Sequence, residues 1–535
     1  MNQKWVSLVF VATLCGCFIQ YQPIALCVFS FHGVFLLMLN ASPSWKHQWV
    51  SVLSVSLGLT VSMPQLFRYE EEWDWISVAL VLALQVGAAH LFWGLAAIHL
   101  HMKRSDRKNI LCYPTLVASA YSLMAHYSPI GSQASLGYGL CEWGAFIQVA
   151  ALFGLAGLNF AIVTISTGFA HYWLNVKEEI VATPPTATLR DNLRTIMSWG
   201  SAGPNIEEGR QTKKVEKDLF GPKMSLILFF STSIFGSFRL LSPYMYQKGV
   251  ESTSIPADEW VETACVIWAK DSDPFAVSEQ VLSDAVNTSN PVRLVLWSET
   301  AADYYYDDRE TELVAWQQPR YTQLADLVAN MSATYNATIG ATYMLWYNPE
   351  DVHDDRIHNM LSFWDGNGAK LFDYTKVHPV PIVEPNTVPG TESKMASATT
   401  SSIGAFDAAI CFDFDYPDFI RKSVSSGIII QSANTWGMVG YFHGINSSFR
   451  AIENGAYLVR CGSKGPSGVW DPYGNLLSYQ PRYGADVLYF QVPLQPQQIW
   501  TFYTNAGFVF DYFLYAFTIL YFALFIFMLN NRANT

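Results

Sequence analysis

The sequence predicts a multi-pass α-helical membrane domain of about eight helices joined to a layered α/β domain. Three observations predict it. Charged residues make up only 14% of the 535 positions and apolar residues 51%, where an average soluble domain carries roughly 25% charged residues. Long apolar runs crowd the N-terminal half and the last stretch of the chain. Between them, roughly from 258 to 495, short β-branched and aromatic runs alternate with helical patterns. The net charge of -12 excludes nucleic acid as the main partner, because a phosphate backbone needs a basic face. Eight cysteines are too few for a disulfide framework, and no Cys/His cluster has zinc-ligand spacing, so no metal is expected.

A bilayer core takes about 20 apolar helical residues to cross. Eight stretches qualify as candidate spans: 5–19, 22–39, 49–67, 76–99, 109–126, 141–172, 224–241 and 508–529. The fifth is weaker, and Gly154 and Gly157 mark a kink in the sixth. A cleaved signal peptide is the competing reading of the first, with Lys4 before it and small residues near Gly16. Lys and Arg stay on the cytosolic side. The loop after span four carries Lys103, Arg104, Arg107 and Lys108, and the loop 174–222 carries seven Lys or Arg residues. The loop 127–140 has none. This gives a transmembrane domain over 1–242 with seven helices and a cytosolic loop at 174–222. A luminal or extracellular domain follows over 243–507, then a C-terminal transmembrane helix and tail over 508–535. Sequons at Asn287, Asn330, Asn336 and Asn446 all fall in the central segment, as glycosylation there requires, although such triplets are common by chance.

Inside that segment the strand-like runs are 264–270, 292–299, 338–347, 369–376, 404–412, 427–433 and 456–462, with helices over 311–332, 416–425 and 438–455. Such alternation predicts sheets covered by helices. Three polar residues end predicted strands, where active-site loops sit: Glu299, Lys376 and Cys411. Each has an ordinary alternative as a loop carboxylate, a surface cation or a core thiol.

Taken in order, WSE around Glu299, KVHPVP around Lys376 and ICFDFDYPD around Cys411 resemble the carbon–nitrogen hydrolase (nitrilase) superfamily, whose triad is Glu, Lys, Cys. The resemblance implies an αββα sandwich. The chemistry also has its own logic. A thiol attacks a carbonyl as thiolate, so a base, Glu299, must take its proton. The Lys376 ammonium and the Phe412 N–H would stabilise the oxyanion, and the product is a thioester that needs no cofactor. Such a domain placed before the last of eight spans resembles the apolipoprotein N-acyltransferases. That resemblance implies a phospholipid acyl donor, an amine-bearing acceptor (a protein N-terminus or a small amine) and a membrane setting. Glu384 matches an additional active-site glutamate, and Trp436 in QSANTWG matches a loop that would wall the acyl pocket. Arg450, Glu453 and Arg460, in RAIENGAYLVR, are expected to form structural ion pairs.

Asp413 stands where the bacterial acyltransferases usually carry Glu. CFD also resembles soluble amidases, so a membrane-tethered amidase with the same triad is the second reading. His378 is expected to be structural rather than a site residue. Cys265 and Cys461 share one side of the membrane with Cys411, and whether they pair is left open. Tyr304, Tyr305 and Tyr306 read either as a lid at the membrane surface or as a packed loop.

Overall fold

The computed structural model of the protein describes residues 3–19, 23–42, 44–62, 68–69, 72–73, 75–105, 109–175, 220–249, 260–267, 273–302, 317–347, 354–381, 383–435, 439–463, 465–480 and 487–533. Helices stand at all eight expected places: α1 (Gln3–Cys17), α2 (Ala25–Ala41), α3 (Trp45–Val61), α4 (Trp75–Ser105), α5 (Cys112–Tyr127), α6 (Ala150–Asn175), α7 (Phe220–Gly249) and a C-terminal helix, Phe502–Ala533. Length and composition qualify fewer of them as spans. Among the described residues, Val81–Met102, Ala150–His171, Phe220–Leu241 and Phe502–Asn531 are long and apolar enough to cross a membrane, while α1 and α2 are shorter apolar helices. α3 and α5 have 17 and 16 residues and are interrupted by Ser, Thr and His.

Burial separates the helices by role. The apolar window of α6 is 83% buried, against 17% for α7 and 11% for the C-terminal helix. Phe230, Ile234 and Phe238 of α7 and Phe513, Ile519 and Phe527 of the C-terminal helix are exposed. Apolar surface of that extent calls for an apolar covering. The expected kink in α6 falls at Phe153–Gly154, where Gly154 has φ +61° and an added Cβ would strike the Tyr503 ring. A break of this kind frees a backbone donor. The Leu155 N–H is taken up by Glu453 Oε1, 3.2 Å away on the central domain.

The central domain contains two six-stranded sheets. The first has the order β12-β1-β2-β3-β4-β5, built from β1 (Trp260–Val266), β2 (Leu294–Trp297), β3 (Thr338–Trp346), β4 (Ile357–Trp364), β5 (Lys370–Thr375) and β12 (Val487–Pro493). The second, β11-β10-β9-β8-β7-β6, holds β6 (Ala396–Thr400), β7 (Gly404–Ile410), β8 (Ile428–Asn434), β9 (Tyr457–Ser463), β10 (Ser467–Trp470) and β11 (Leu476–Gln480). Each sheet has a parallel trio at its centre, β1-β2-β3 and β7-β8-β9, flanked by antiparallel strands. The trios read as continuous apolar runs because both faces are covered. Leu294, Leu296 and Phe363 of one sheet meet Phe406, Ala408 and Ile430 of the other in a shared core.

The outer face of the first sheet is covered by α8 (Pro274–Ala285) and α9 (Gln317–Tyr335). Asp273 caps α8 by accepting from Phe275 N at 3.0 Å, with Pro274 in the first turn. Leu324, Val328 and Met331 give α9 an apolar stripe against Trp297 and Ile339. The second sheet carries α10 (Pro417–Ser423) and α11 (Val439–Asn454). α11 is shared with the helical bundle, because Phe449 and Ile452 belong to the apolar cluster of α2, α5 and α6. The layers are therefore α, β, β, α, and the fourth layer is also the floor on which the helical domain docks.

Cys265 of β1 and Cys461 of β9 form a disulfide that joins the two sheets across 196 residues of chain. Asn287, Asn330 and Asn336 are exposed, but Asn446 lies inside α11 with 6% exposure. Its sequon is therefore withdrawn as a modification site, because the packed helix leaves no room for an acceptor. Trp436 and Tyr304, Tyr305 and Tyr306 lie outside the described residues. Replacing both Cys265 and Cys461 by Ala is expected to lower the stability of the central domain by about 2–5 kcal/mol. The measurement is the unfolding midpoint, and a reducing agent should bring the unmodified chain down to the same value.

Candidate active site

In these sheets β2, β5, β7 and β8 point the same way, and their C-terminal ends meet at one edge of the sandwich. Glu299 follows β2, Lys376 follows β5, Cys411 follows β7 and Asn434 ends β8. The carboxyl ends of parallel strands are where α/β sheets gather reactive groups.

The site is organised around one ammonium. Lys376 Nζ lies 2.7 Å from Glu299 Oε1 and 2.8 and 2.7 Å from the two oxygens of Glu384. Glu299 accepts two further bonds, from Asn359 Nδ2 at 2.8 Å and from the Asn434 N–H at 2.7 Å, so its orientation is fixed. Lys376 and Glu299 are almost fully buried, whereas the Glu384 side chain is 19% exposed and stands at the opening. Val380 N donates to Glu384 Oε2 at 2.5 Å and ties it to the loop after Lys376.

Cys411 opens a tight turn, Cys411–Asp415, and its φ of 44° puts an ordinary side chain in the left-handed region. Strain of this kind is held in place by neighbours and gathers at functional sites. Gln431 Nε2 bonds the Cys411 carbonyl at 2.9 Å, and the thiol sits 3.8 Å from the Asn434 carbonyl. Asp413 clamps the turn to the β5 side. Its Oδ2 accepts from Tyr374 Oη at 2.8 Å and Ile410 N at 3.2 Å, and its Oδ1 lies 2.8 Å from both His378 N and His378 Nδ1. The His378 ring stacks on Tyr416 at 3.7 Å, and Phe412 meets Tyr416 edge-on. Asp413 and His378 thus support the turn.

Electrostatics follow from burial. Desolvation alone would pull Lys376 down, but Glu299 and Glu384 outweigh it and hold its pKa well above the ordinary lysine value. Desolvation, reinforced by Glu299, pushes the Cys411 thiol well above its usual value. Burial raises Glu384 too, with Lys376 opposing. The resting site therefore holds a fixed cation, two flanking carboxyl groups and a protonated thiol.

The helical domain touches this site directly. Ser132 N donates to the Asp415 carbonyl at 2.7 Å, and Tyr416 Oη donates to the Pro129 carbonyl at 3.0 Å. Gly131, at φ +54°, lets the loop after α5 close over Asp415; a Cβ there would sit 2.5 Å from the Asp415 oxygen. Arg450 and Glu453 form the expected pair, at 3.1 Å, with Arg450 Nη2 also reaching Tyr138 Oη at 3.2 Å. Arg460 departs from expectation, because no carboxylate among the described residues lies within ion-pair distance of it.

Glu299, Lys376 and Cys411 stand at strand ends as the sequence predicts, and the structure brings them together with Glu384, which the family resemblance singled out. The sequence reading missed Asn359, which lies on a strand that was not anticipated. It also missed Asn434, although that residue is part of QSANTWG. Lys376→Met removes the cation held between buried Glu299 and half-buried Glu384 and is expected to cost about 3–5 kcal/mol, with Glu384→Gln in the same chain restoring part of it; unfolding midpoints measure both. Alkylation of Cys411 by iodoacetamide is expected to speed up about tenfold per pH unit to at least about pH 9, whereas a plateau near neutrality would reveal a preformed thiolate.

Residues 265–500 match the carbon-nitrogen hydrolase family. An apolipoprotein N-acyltransferase of Rickettsia bellii is 24% identical over 366 residues, covering 64% of this chain and 61% of that protein. The chain thus spans less than two thirds of that relative. An omega-amidase of Saccharomyces cerevisiae is 27% identical over 172 residues, covering 28% of this chain and 58% of the other. An amidase structure from Nesterenkonia sp. covers 46% of this chain and 92% of its own at 17% identity, with a TM-score of 0.37. Residues 265–500 therefore form a domain of the carbon–nitrogen hydrolase, or nitrilase, superfamily, and apolipoprotein N-acyltransferases are among the relatives of this chain.

Proposed function

We propose that the protein is a membrane-bound N-acyltransferase that moves an acyl chain from a phospholipid to an amine through a thioester on Cys411. The single observation that carries this reading is the seating of the Cys411–Asp415 turn against the loop after α5, which puts the nucleophile at the junction with the bundle. A soluble substrate would not require that junction. The acyltransferase relatives support the same choice.

The proposed reaction has two halves. Glu299 takes the Cys411 proton as sulfur attacks the ester carbonyl, and the oxyanion is held by Lys376 and the Phe412 N–H. The C–O bond breaks, Glu299 returns the proton to the leaving alcohol, and the lysophospholipid departs. An amine then attacks the thioester, Glu299 accepts its proton, the C–N bond forms and the C–S bond breaks, and the thiol is restored. Glu384 at the opening holds Lys376 and faces the arriving amine.

The catalytic domain is placed on the luminal or extracellular side. The positively charged loops on the opposite side support this, as does the Cys265–Cys461 disulfide, a bond that persists in oxidising compartments. Glycans at Asn287, Asn330 or Asn336, but not Asn446, would mark that side. The second reading, a membrane-tethered amidase, is favoured by Asp413 in CFD and by the omega-amidase relative.

Purified full-length protein given a phospholipid labelled in its acyl chain is expected to acquire a hydroxylamine-labile label on Cys411. The label should be absent from Cys411→Ala and reduced about 10²- to 10³-fold in rate by Lys376→Met. Amide hydrolysis with no acyl label would select the amidase.

A further inference from the structure

Beneath the nucleophile turn lies a buried polar layer that the proposed chemistry does not use. Its centre is Arg460 on β9. Cys461 reaches the first sheet through the disulfide, and successive side chains on a strand point to opposite faces. Arg460 therefore points the other way, towards α11. It is completely buried. Its Nη1 donates to the Pro466 carbonyl, its Nη2 lies 3.5 Å from His443 Nδ1 of α11, and its Nε has no hydrogen-bond partner. A cation buried without an anion is destabilising and calls for a functional reason.

Two lines run from it to the nucleophile turn. Gln431 is its register partner on the parallel strand β8, so the two side chains stand side by side. Gln431 Nε2 holds the Cys411 carbonyl at 2.9 Å, and its buried Oε1 has no hydrogen-bond partner, as Arg460 Nε has none. The other line passes through His443, whose Nε2 lies 3.1 Å from Asp415 Oδ2 but is poorly aligned for a hydrogen bond. Arg460 thus stands beside the side chain that holds Cys411 and touches the histidine that faces Asp415, at the two ends of the turn Cys411–Asp415. Burial draws its pKa down to about 10, while Cys411, Glu299 and Asp415, the anionic or potentially anionic groups facing it, pull upward. Lys376 and Glu384 face Cys411 from the first sheet.

We propose that Arg460 is a positioning residue for the nucleophile: through Gln431 and His443 it fixes the Cys411–Asp415 turn, and from behind the second sheet its charge favours the negative charge that develops on sulfur. This rests on Cys411 being the nucleophile, and holds for acyl transfer and amide hydrolysis alike.

The test compares the unmodified full-length protein with Arg460→Met and Arg460→Lys in detergent. It measures the rate of Cys411 alkylation by iodoacetamide from about pH 6 to about pH 9, with peptide mass separating Cys411 from the other thiols, and the unfolding midpoint. Arg460→Met should alkylate about tenfold more slowly at neutral pH, its profile displaced upward by about one pH unit, with its midpoint unchanged or higher. Arg460→Lys should recover most of the rate. If the Met variant does not fold, Gln431→Met cuts one of the two lines and should slow alkylation several-fold. A lower midpoint with an unchanged alkylation profile would show a purely structural arginine and overturn the proposal. Failure of the unmodified protein to alkylate at Cys411 at any pH, with the other thiols reacting, would instead overturn the nucleophile assignment itself.

Discussion

The pairing of one buried ammonium with two carboxylates is the constraint on which the site depends. Lys376 is inaccessible to water, so its charge must be neutralised locally. Glu299 does so from the first sheet and Glu384 from the following loop, both within hydrogen-bond distance. That arrangement determines what each group is free to do. The ammonium cannot act as a base, because its proton is held well above neutrality. The thiol stays protonated at rest, because burial and a neighbouring carboxylate oppose its ionisation. In the proposed reaction proton movement is therefore left to Glu299, the carboxylate that bonds Lys376 and faces Cys411.

The helical region does more than hold this machinery near lipid. Its loop after α5 packs on the nucleophile turn, its Tyr138 meets Arg450, and its broken helix α6 takes a cap from Glu453. α11 serves at once as the outer layer of the sandwich and as a member of the bundle. Two parts that look independent in sequence therefore share a core, and the Cys411–Asp415 turn lies at their seam.

What the sequence disclosed follows from periodicity. The central parallel strands are unbroken apolar runs, so all of β1, β2, β3, β7, β8 and β9 were anticipated, together with β5. The missed strands β4, β6, β10, β11 and β12 flank the trios. β4 carries His358, Asn359 and Ser362 among apolar residues, and the exposed edges of β6 and β11 dilute the signal further. Glu299, Lys376 and Cys411 were readable because each ends a recognisable run and their order is distinctive. Asn359 could not be found this way, since its role arises only from pairing β4 with β5. Helices stand where the eight apolar runs predicted them, and the four that are long and apolar enough to cross a membrane among the described residues are those with the longest uninterrupted apolar runs.

The cap on Leu155 has a bearing on how the protein is made. The open N–H arises at residue 155, and the carboxylate that closes it is 298 positions further along the chain. Until the ribosome has delivered Glu453, the sixth helix lacks this partner at its break, and a buried amide left open is penalised by about 1–3 kcal/mol. Assembly of the bundle is thereby tied to completion of the enzyme, so a chain truncated before that residue would betray itself to the quality control of its membrane.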